Sequence, residues 1–229
     1  VSDNQVTVAI DGPASSGKST VAKRIADELN LIYVDSGAMY RTITYVVLEK
    51  GIDLSDQDSI MRELNQVSIE FEKTADGQLV YCNGQDVTDE IRQNDVTNAV
   101  SAVSAHPKVR AELVERQRNL SQKQPTIMDG RDIGTVVFPD ANVKVFLVAS
   151  VDQRAERRFK ENTLKGIESD LSKLKQEISA RDYKDSTREV SPLTKASDAI
   201  EIDTTSLSID EVVEKITAII LGKHPELLK

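Results

Sequence analysis

One cysteine, Cys82, stands among the 229 residues of this chain. A disulfide within the chain is therefore impossible, and a reducing, cytoplasmic setting is expected. Long apolar runs are missing too. None approaches the roughly 18 residues needed to span a bilayer, and the opening Val1-Ser-Asp-Asn-Gln5 lacks the apolar stretch of a signal peptide, so no membrane partner is expected. Positive charge is in deficit, with 29 Lys and Arg against 38 Asp and Glu, a net charge of −9. That balance argues against nucleic acid held on a broad basic face. Neither histidine, His106 or His224, has a metal-ligand partner at useful spacing, and Cys82 has no histidine near it in sequence. A zinc site and a Cys/His nucleophile are accordingly set aside. Internal repeats and low-complexity segments are also lacking.

What is present is an ordinary globular composition, 39% hydrophobic and 29% charged, at a length that suits one α/β core with an inserted subdomain. The β-branched run Val6–Ile10 reads as a buried strand ending at Asp11-Gly12, and Val21, Ala22, Ile25, Ala26 and Leu29 recur at helical spacing. A second strand, Leu31–Val34, leads through a turn at Asp35-Ser36-Gly37 to helical spacing at Met39, Ile43, Val46 and Val47. Strand and helix in alternation imply a parallel sheet. The rhythm then breaks. A helix around Asp58–Val67 precedes an alternating stretch, an Asp76-Gly77 turn and Leu79–Asn83, which together read as a β-hairpin. Residues 55–94 are taken as an insertion able to move separately. Helices follow around Asp95–Ala105 and Pro107–Ser121, then strands at Thr126–Asp129, Val143–Val148 and Ala199–Ile202. Between the last two strands lies a charged helical stretch, Asp152–Tyr183, broken near Gly166. A final helix starts near Ser208, with Glu211 completing a capping box.

Gly12-Pro13-Ala14-Ser15-Ser16-Gly17-Lys18-Ser19 fits the phosphate-binding loop pattern, between the strand and helix that pattern requires. Its glycines allow backbone amides to wrap phosphate oxygens, and the next helix aims its positive end at them. Lys18 is expected at the β- and γ-phosphates of ATP and Ser19 on Mg²⁺. Asp129, ending an apolar run, stands where a second metal-binding acid belongs; a capping aspartate is the other reading, and Asp35 competes for the role. Five of the 13 arginines lie between Arg154 and Arg188, and Arg131 lies in a Gly-flanked motif. Arginine binds phosphate bidentately and stays charged. A phosphate acceptor is already ionised near pH 7 and needs cations rather than a base, so these residues favour it over an alcohol. Salt-bridged helix faces remain the plainer explanation for Arg154, Arg157 and Arg158, and an ion-pair ladder for Arg181, Asp185 and Arg188.

Three motifs carry a resemblance over essentially the whole chain: Ile10–Thr20, Asp35-Ser-Gly-Ala-Met-Tyr-Arg41 and Asp129-Gly-Arg-Asp-Ile-Gly-Thr-Val-Val-Phe-Pro139. With Ser150–Arg158 and Arg181–Arg188, the sequence resembles the bacterial cytidylate kinases of the nucleoside monophosphate kinase group. The resemblance implies a P-loop three-layer αβα fold with a five-stranded parallel sheet. Residues 1–54 and 95–229 would form the core, 55–94 an acceptor-binding subdomain and about 159–188 a lid. It implies a monomer that phosphorylates CMP and dCMP from ATP with Mg²⁺. Residues 12–20, including Thr20, with Arg154, Arg157 and Arg158, would hold ATP. Ser36, Arg41 and Arg131 would hold the CMP phosphate, with Lys18, Arg131 and Arg181 at the transferring group. Asp185, oriented by Arg188, would meet the sugar. Ser101, Arg110 and Asp132 would read cytosine beside Tyr40, and Ser19 and Asp129 would hold the metal. A kinase for UMP, AMP or a small alcohol, or a nucleotide-binding switch without turnover, stays open as an alternative.

Overall fold

A computed structural model describes residues 6–74, 77–122, 124–164 and 166–228. Contacts divide the chain into two compact units, residues 1–33 with 121–229, and residues 34–120.

In the first unit, the run predicted as a strand forms β1 (Thr7–Asp11), buried along its whole length. Burial on both faces explains why this stretch has no polar alternation. It pairs in parallel with β6 (Thr126–Gly130), from Thr7↔Thr126 to Asp11↔Gly130, and on its other side with β7 (Val143–Val148). β8 (Ile200–Asp203) pairs with β7, and β2 (Ile32–Asp35) completes a five-stranded sheet of order β2-β6-β1-β7-β8. This is the parallel, helix-flanked sheet expected. One face is covered by α1 (Lys18–Glu28) and α8 (Ile209–Lys223), whose Val21, Ile25, Val213 and Ile216 pack with Val8, Ile10, Val145 and Leu147. Each such side chain contributes about 1.5–3 kcal/mol on burial. Because the paired strands run parallel, Asp11, Gly130 and Val148 end along one edge, where α/β sheets bind ligands. The charged stretch forms α6 (Val151–Leu164) and α7 (Leu171–Thr187), joined through Ala155, Leu174 and Ile178. α7 runs past Tyr183 and ends at Thr187, so Arg181 and Asp185 share a face, while Arg188 is already extended (φ −61°, ψ 144°).

The second unit holds α2 (Ser36–Glu49), α3 (Gln57–Leu64), β3 (Ile69–Thr74), β4 (Gly77–Cys82), β5 (Gln85–Asp86), α4 (Asn94–Val103) and α5 (Pro107–Leu120). The turn predicted at Asp35-Ser36-Gly37 is instead the first turn of α2. Asp35 is the N-cap, its carboxylate accepting from the Ala38 amide at 2.9 Å, and that bond compensates a helix end that a free turn would leave unpaired. The hairpin runs antiparallel from Ile69↔Cys82 to Thr74↔Gly77; Asp76 of its predicted turn lies outside the described residues. β5 is too short to announce itself by alternation. Val67, Val80, Cys82, Val87 and Ile91 form a core with Ala38. Arg116 of α5 donates to the Leu64 and Val67 carbonyls at 2.9 and 2.6 Å and to Glu112 at 2.7 Å, adding a charged donor to the backbone bonds that already close the end of α3.

The capping box at α8 is present, with the Glu211 amide donating to Ser208 Oγ at 3.2 Å and the Ser208 amide to Glu211 at 2.8 Å. Ser208→Ala should lower unfolding stability by about 1 kcal/mol. Ser206→Ala, in the exposed turn just before it, should stay within about 0.5 kcal/mol. Urea denaturation of both variants measures the difference.

Candidate functional site

At the edge where β1 ends, the backbone turns sharply at Gly12. A Cβ there would lie 2.2 Å from the Leu147 carbonyl oxygen, and φ is +148°. Gly17, at φ +90°, caps α1, so the loop returns into a helix whose first amides face outward from its end. Ser16 and Ala14 are buried, Pro13 and Ser15 half-buried, and Thr20 is exposed. Lys18 is buried beneath the loop and donates to the Pro13 carbonyl at 2.7 Å and Ser16 Oγ at 3.3 Å. Burial, aided by the Arg131 charge, lowers its ammonium pKa well below the usual value, against the pull of Asp129 and Asp11.

Asp129 stands one strand away from Ile10, in register with it. Its two oxygens have different partners: Ser19 Oγ donates to one at 2.9 Å and Tyr33 Oη to the other at 2.7 Å. Asp35, the competing acid, is committed to capping α2. Ser19 and Asp129 thus offer adjacent oxygen ligands. Tyr33 was invisible in the sequence, since a tyrosine in a buried strand looks like core.

Asp11 is the buried last residue of β1. Its carboxylate accepts from the amides of Ile133 and Gly134 at 2.8 and 2.7 Å. Those amides open a wide helical turn, Ile133–Val137, directly after Arg131 and Asp132. Burial pushes the Asp11 carboxyl up to about 6, although both amides oppose the shift. Just before the turn, Arg131 Nε donates to Asp185 at 3.0 Å, with Arg181 Nε 3.9 Å from the same oxygen. Arg188 lies 4.0 Å from Asp132 and donates to the Ser191 carbonyl at 2.7 Å. Burial would raise the Asp185 carboxyl, but Arg131, Arg181 and Arg188 together hold it below the usual range.

The arginines of α6 behave differently from one another. Arg154 is buried and donates to Ala149 O, Ala14 O and Asp182 at 3.0, 3.1 and 2.6 Å. Arg157 donates to Thr204 Oγ1 and its carbonyl at 3.1 and 2.5 Å, at the turn after β8. Arg158 is half-buried. In the second unit, Ser36 is buried in the first turn of α2 and Ser101 half-buried in α4. Arg41 donates to Ile91 O at 3.1 Å and Thr97 at 2.8 Å. Arg110, 2% exposed, donates to Ser104 O at 3.0 Å and lies 5.0 Å over the Tyr40 ring, a cation–π arrangement.

The family model described as cytidylate kinase matches residues 8–221. The chain belongs to the cytidylate kinase family. It is 56% identical over 220 residues to a cytidylate kinase of Bacillus cereus (strain G9842), covering 96% of this chain and 98% of that one. A cytidylate kinase of Anoxybacillus flavithermus (strain DSM 21510 / WK1) is also 56% identical, over 218 residues, with 95% and 97% covered. Among solved structures, an uncharacterized protein from Eubacterium ventriosum ATCC 27560 shares the fold at a TM-score of 0.52 and 14% identity, covering 96% of this chain and 99% of that one. The three motifs that carried the resemblance all lie within the matched span.

The raised pKa of Asp11 has a sign that can be measured. Its folded value of about 6 exceeds the ordinary 3.8, so the folded chain binds the extra proton between those values. Asp11 therefore adds stability below about pH 4 that is lost as pH rises through about 6. Asp11→Asn cannot titrate. Its stability relative to the unaltered chain, followed by denaturation from pH 4 to 7, should improve by about 1.4 kcal/mol for each pH step of one between 4 and 6, then level off. A flat difference would mean that the Asp11 carboxyl titrates normally.

Proposed function

We propose that this chain transfers the γ-phosphoryl group of ATP to CMP and dCMP, giving ADP and CDP or dCDP. The observation that carries the proposal is one juxtaposition in the first unit. A phosphate-binding loop with its lysine, a Ser19–Asp129 oxygen pair, and the Arg131–Asp185–Arg181 group all sit at or beside the carboxyl edge of one sheet. The cytidylate kinase family match over residues 8–221, with 56% identity to curated cytidylate kinases, supports a cytidine monophosphate as the acceptor.

On this reading residues 12–20 cradle the ATP phosphates, with Arg157 and Arg158 on the donor side. Lys18 places its charge at the β- and γ-phosphates as the bond to the leaving oxygen breaks. Ser19 and Asp129 suit a hard cation, because Mg²⁺ in such sites takes one or two protein oxygens and completes its shell from phosphates and water. Held there by Ser19 and Asp129, a bound Mg²⁺ would supply positive charge against the phosphates. The acceptor phosphate needs no base, and in the first unit Arg131 and Arg181 supply the fixed positive charge that two neighbouring anions require; Ser36 and Arg41 are the phosphate-binding candidates of the second unit. Asp185 stays ionised among three arginines, which orients their guanidinium planes; with Arg188 it faces the sugar. Asp132 is the base-reading carboxylate of the first unit, and Ser101 and Arg110 are the base-reading side chains of the second, with Tyr40 under the Arg110 guanidinium. Residues 55–94 serve as the acceptor subdomain and about 159–188 as a lid, in a chain that works as a monomer.

A coupled assay of ADP release with CMP, dCMP, UMP, AMP and a small alcohol tests the acceptor, and turnover confined to an acceptor other than a cytidine monophosphate would overturn it. Lys18→Ala should lower kcat by roughly 10²–10³, the loss typical of one transition-state donor; near-normal turnover in the folded variant removes Lys18 from the chemistry. Asp132→Ala should lower kcat/KM for CMP and narrow the CMP:UMP ratio, since uracil lacks the amino donor that the carboxylate accepts. ATP affinity should stay unchanged. An untouched ratio would mean that Asp132 does not read the base.

A further inference from the structure

The resemblance sets Arg154 beside Arg157 and Arg158 against ATP, but its surroundings point elsewhere. Its side chain is 5% exposed, and each of its three nitrogens already donates to a protein oxygen. One bond goes to Ala149 at the end of β7. The second goes to Ala14, inside the phosphate-binding loop. The third, the shortest at 2.6 Å, goes to the Asp182 carboxylate on α7. Asp182 adjoins Arg181 and precedes Asp185 by three residues, less than one helical turn. A planar guanidinium can hold these divergent acceptors at once, whereas a lysine ammonium acts as a single point charge.

We infer that Arg154 and Asp182 are a positioning pair that ties the phosphate-binding loop to α7, so that the conformation of the loop around ATP sets the placement of Arg181 and Asp185. The inference rests on the donor-site reading above and assigns Arg154 no contact with the nucleotide. The charge-assisted bond to Asp182 is the strong element of the link, and it lies at the half of the pair farther from the loop. Cutting it therefore leaves the loop's own contacts to ATP in place while releasing α7.

The test is hydrogen exchange by mass spectrometry on the whole chain, with and without a non-hydrolysable ATP analogue and Mg²⁺, in the absence of CMP. In the unaltered protein the analogue should slow exchange both in residues 12–20 and in 171–187. In Asp182→Ala the slowing at 12–20 should persist, while that at 171–187 should shrink by about tenfold, the worth of one strong bond. Steady-state kinetics should show the same split, with kcat lowered roughly tenfold or more by misplacement and KM for ATP within about twofold. Arg154→Lys should give the same pattern and serves if Asp182→Ala does not fold. Equal slowing at 171–187 in both proteins, or a loss of ATP affinity with kcat unchanged, overturns the pair. Absence of slowing at 12–20 in the unaltered chain overturns the donor-site reading itself, and the pair with it.

Discussion

Buried charge is the constraint on which the first unit depends. Asp11, Lys18, Asp129, Asp132, Arg154 and Asp185 are each 5% exposed or less. Taking a charge out of water costs several kcal/mol unless a partner is set against it, so each of these side chains dictates the position of others. Asp11 is held by two backbone amides, Asp129 by two hydroxyls, and Asp185 by arginines. Arg154 is satisfied by oxygens from three separate segments. The apolar core beneath could tolerate repacking at modest cost; this polar layer could not.

The same constraint serves phosphoryl transfer. Bringing two anionic nucleotides together asks for fixed positive charge that does not have to reorganise as the bond breaks. Guanidinium groups locked against buried carboxylates meet that requirement, and Asp185 is kept ionised by the arginines around it. Asp11 links the two halves of the arrangement within one residue: Gly12 begins the phosphate-binding loop, while the amides bound by Asp11 begin the turn that follows Arg131 and Asp132. The second unit fixes a buried cation by other means, since the Arg110 guanidinium donates to a backbone carbonyl and rests on an aromatic face.

Much of this protein was legible in the residues alone. The run Val6–Ile10, the helical spacing after Lys18 and the capping box at Ser208 each follow from local physics: a strand buried on both faces, an amphipathic helix, and an N-cap. Their elements lie where the spacing placed them. The phosphate-binding loop was equally clear, because close backbone approach at Gly12 demands glycine and leaves a fixed pattern. What local physics misjudged was the junction at Asp35, where turn-forming residues are also good cap residues, and the helix won because its end needed a partner. Tyr33, Asp11 and Asp182 carry no pattern of their own. Their partners lie 96, 122 and 28 residues away in sequence. The chain by itself determined which segments are strands and helices and that a phosphate-binding loop joins the first pair. Which hydroxyl steadies Asp129, which amides hold Asp11 and which oxygens occupy Arg154 were decided only by the parallel register of the sheet and the packing of α6 and α7, because a buried charge is satisfied by whatever the fold brings near it.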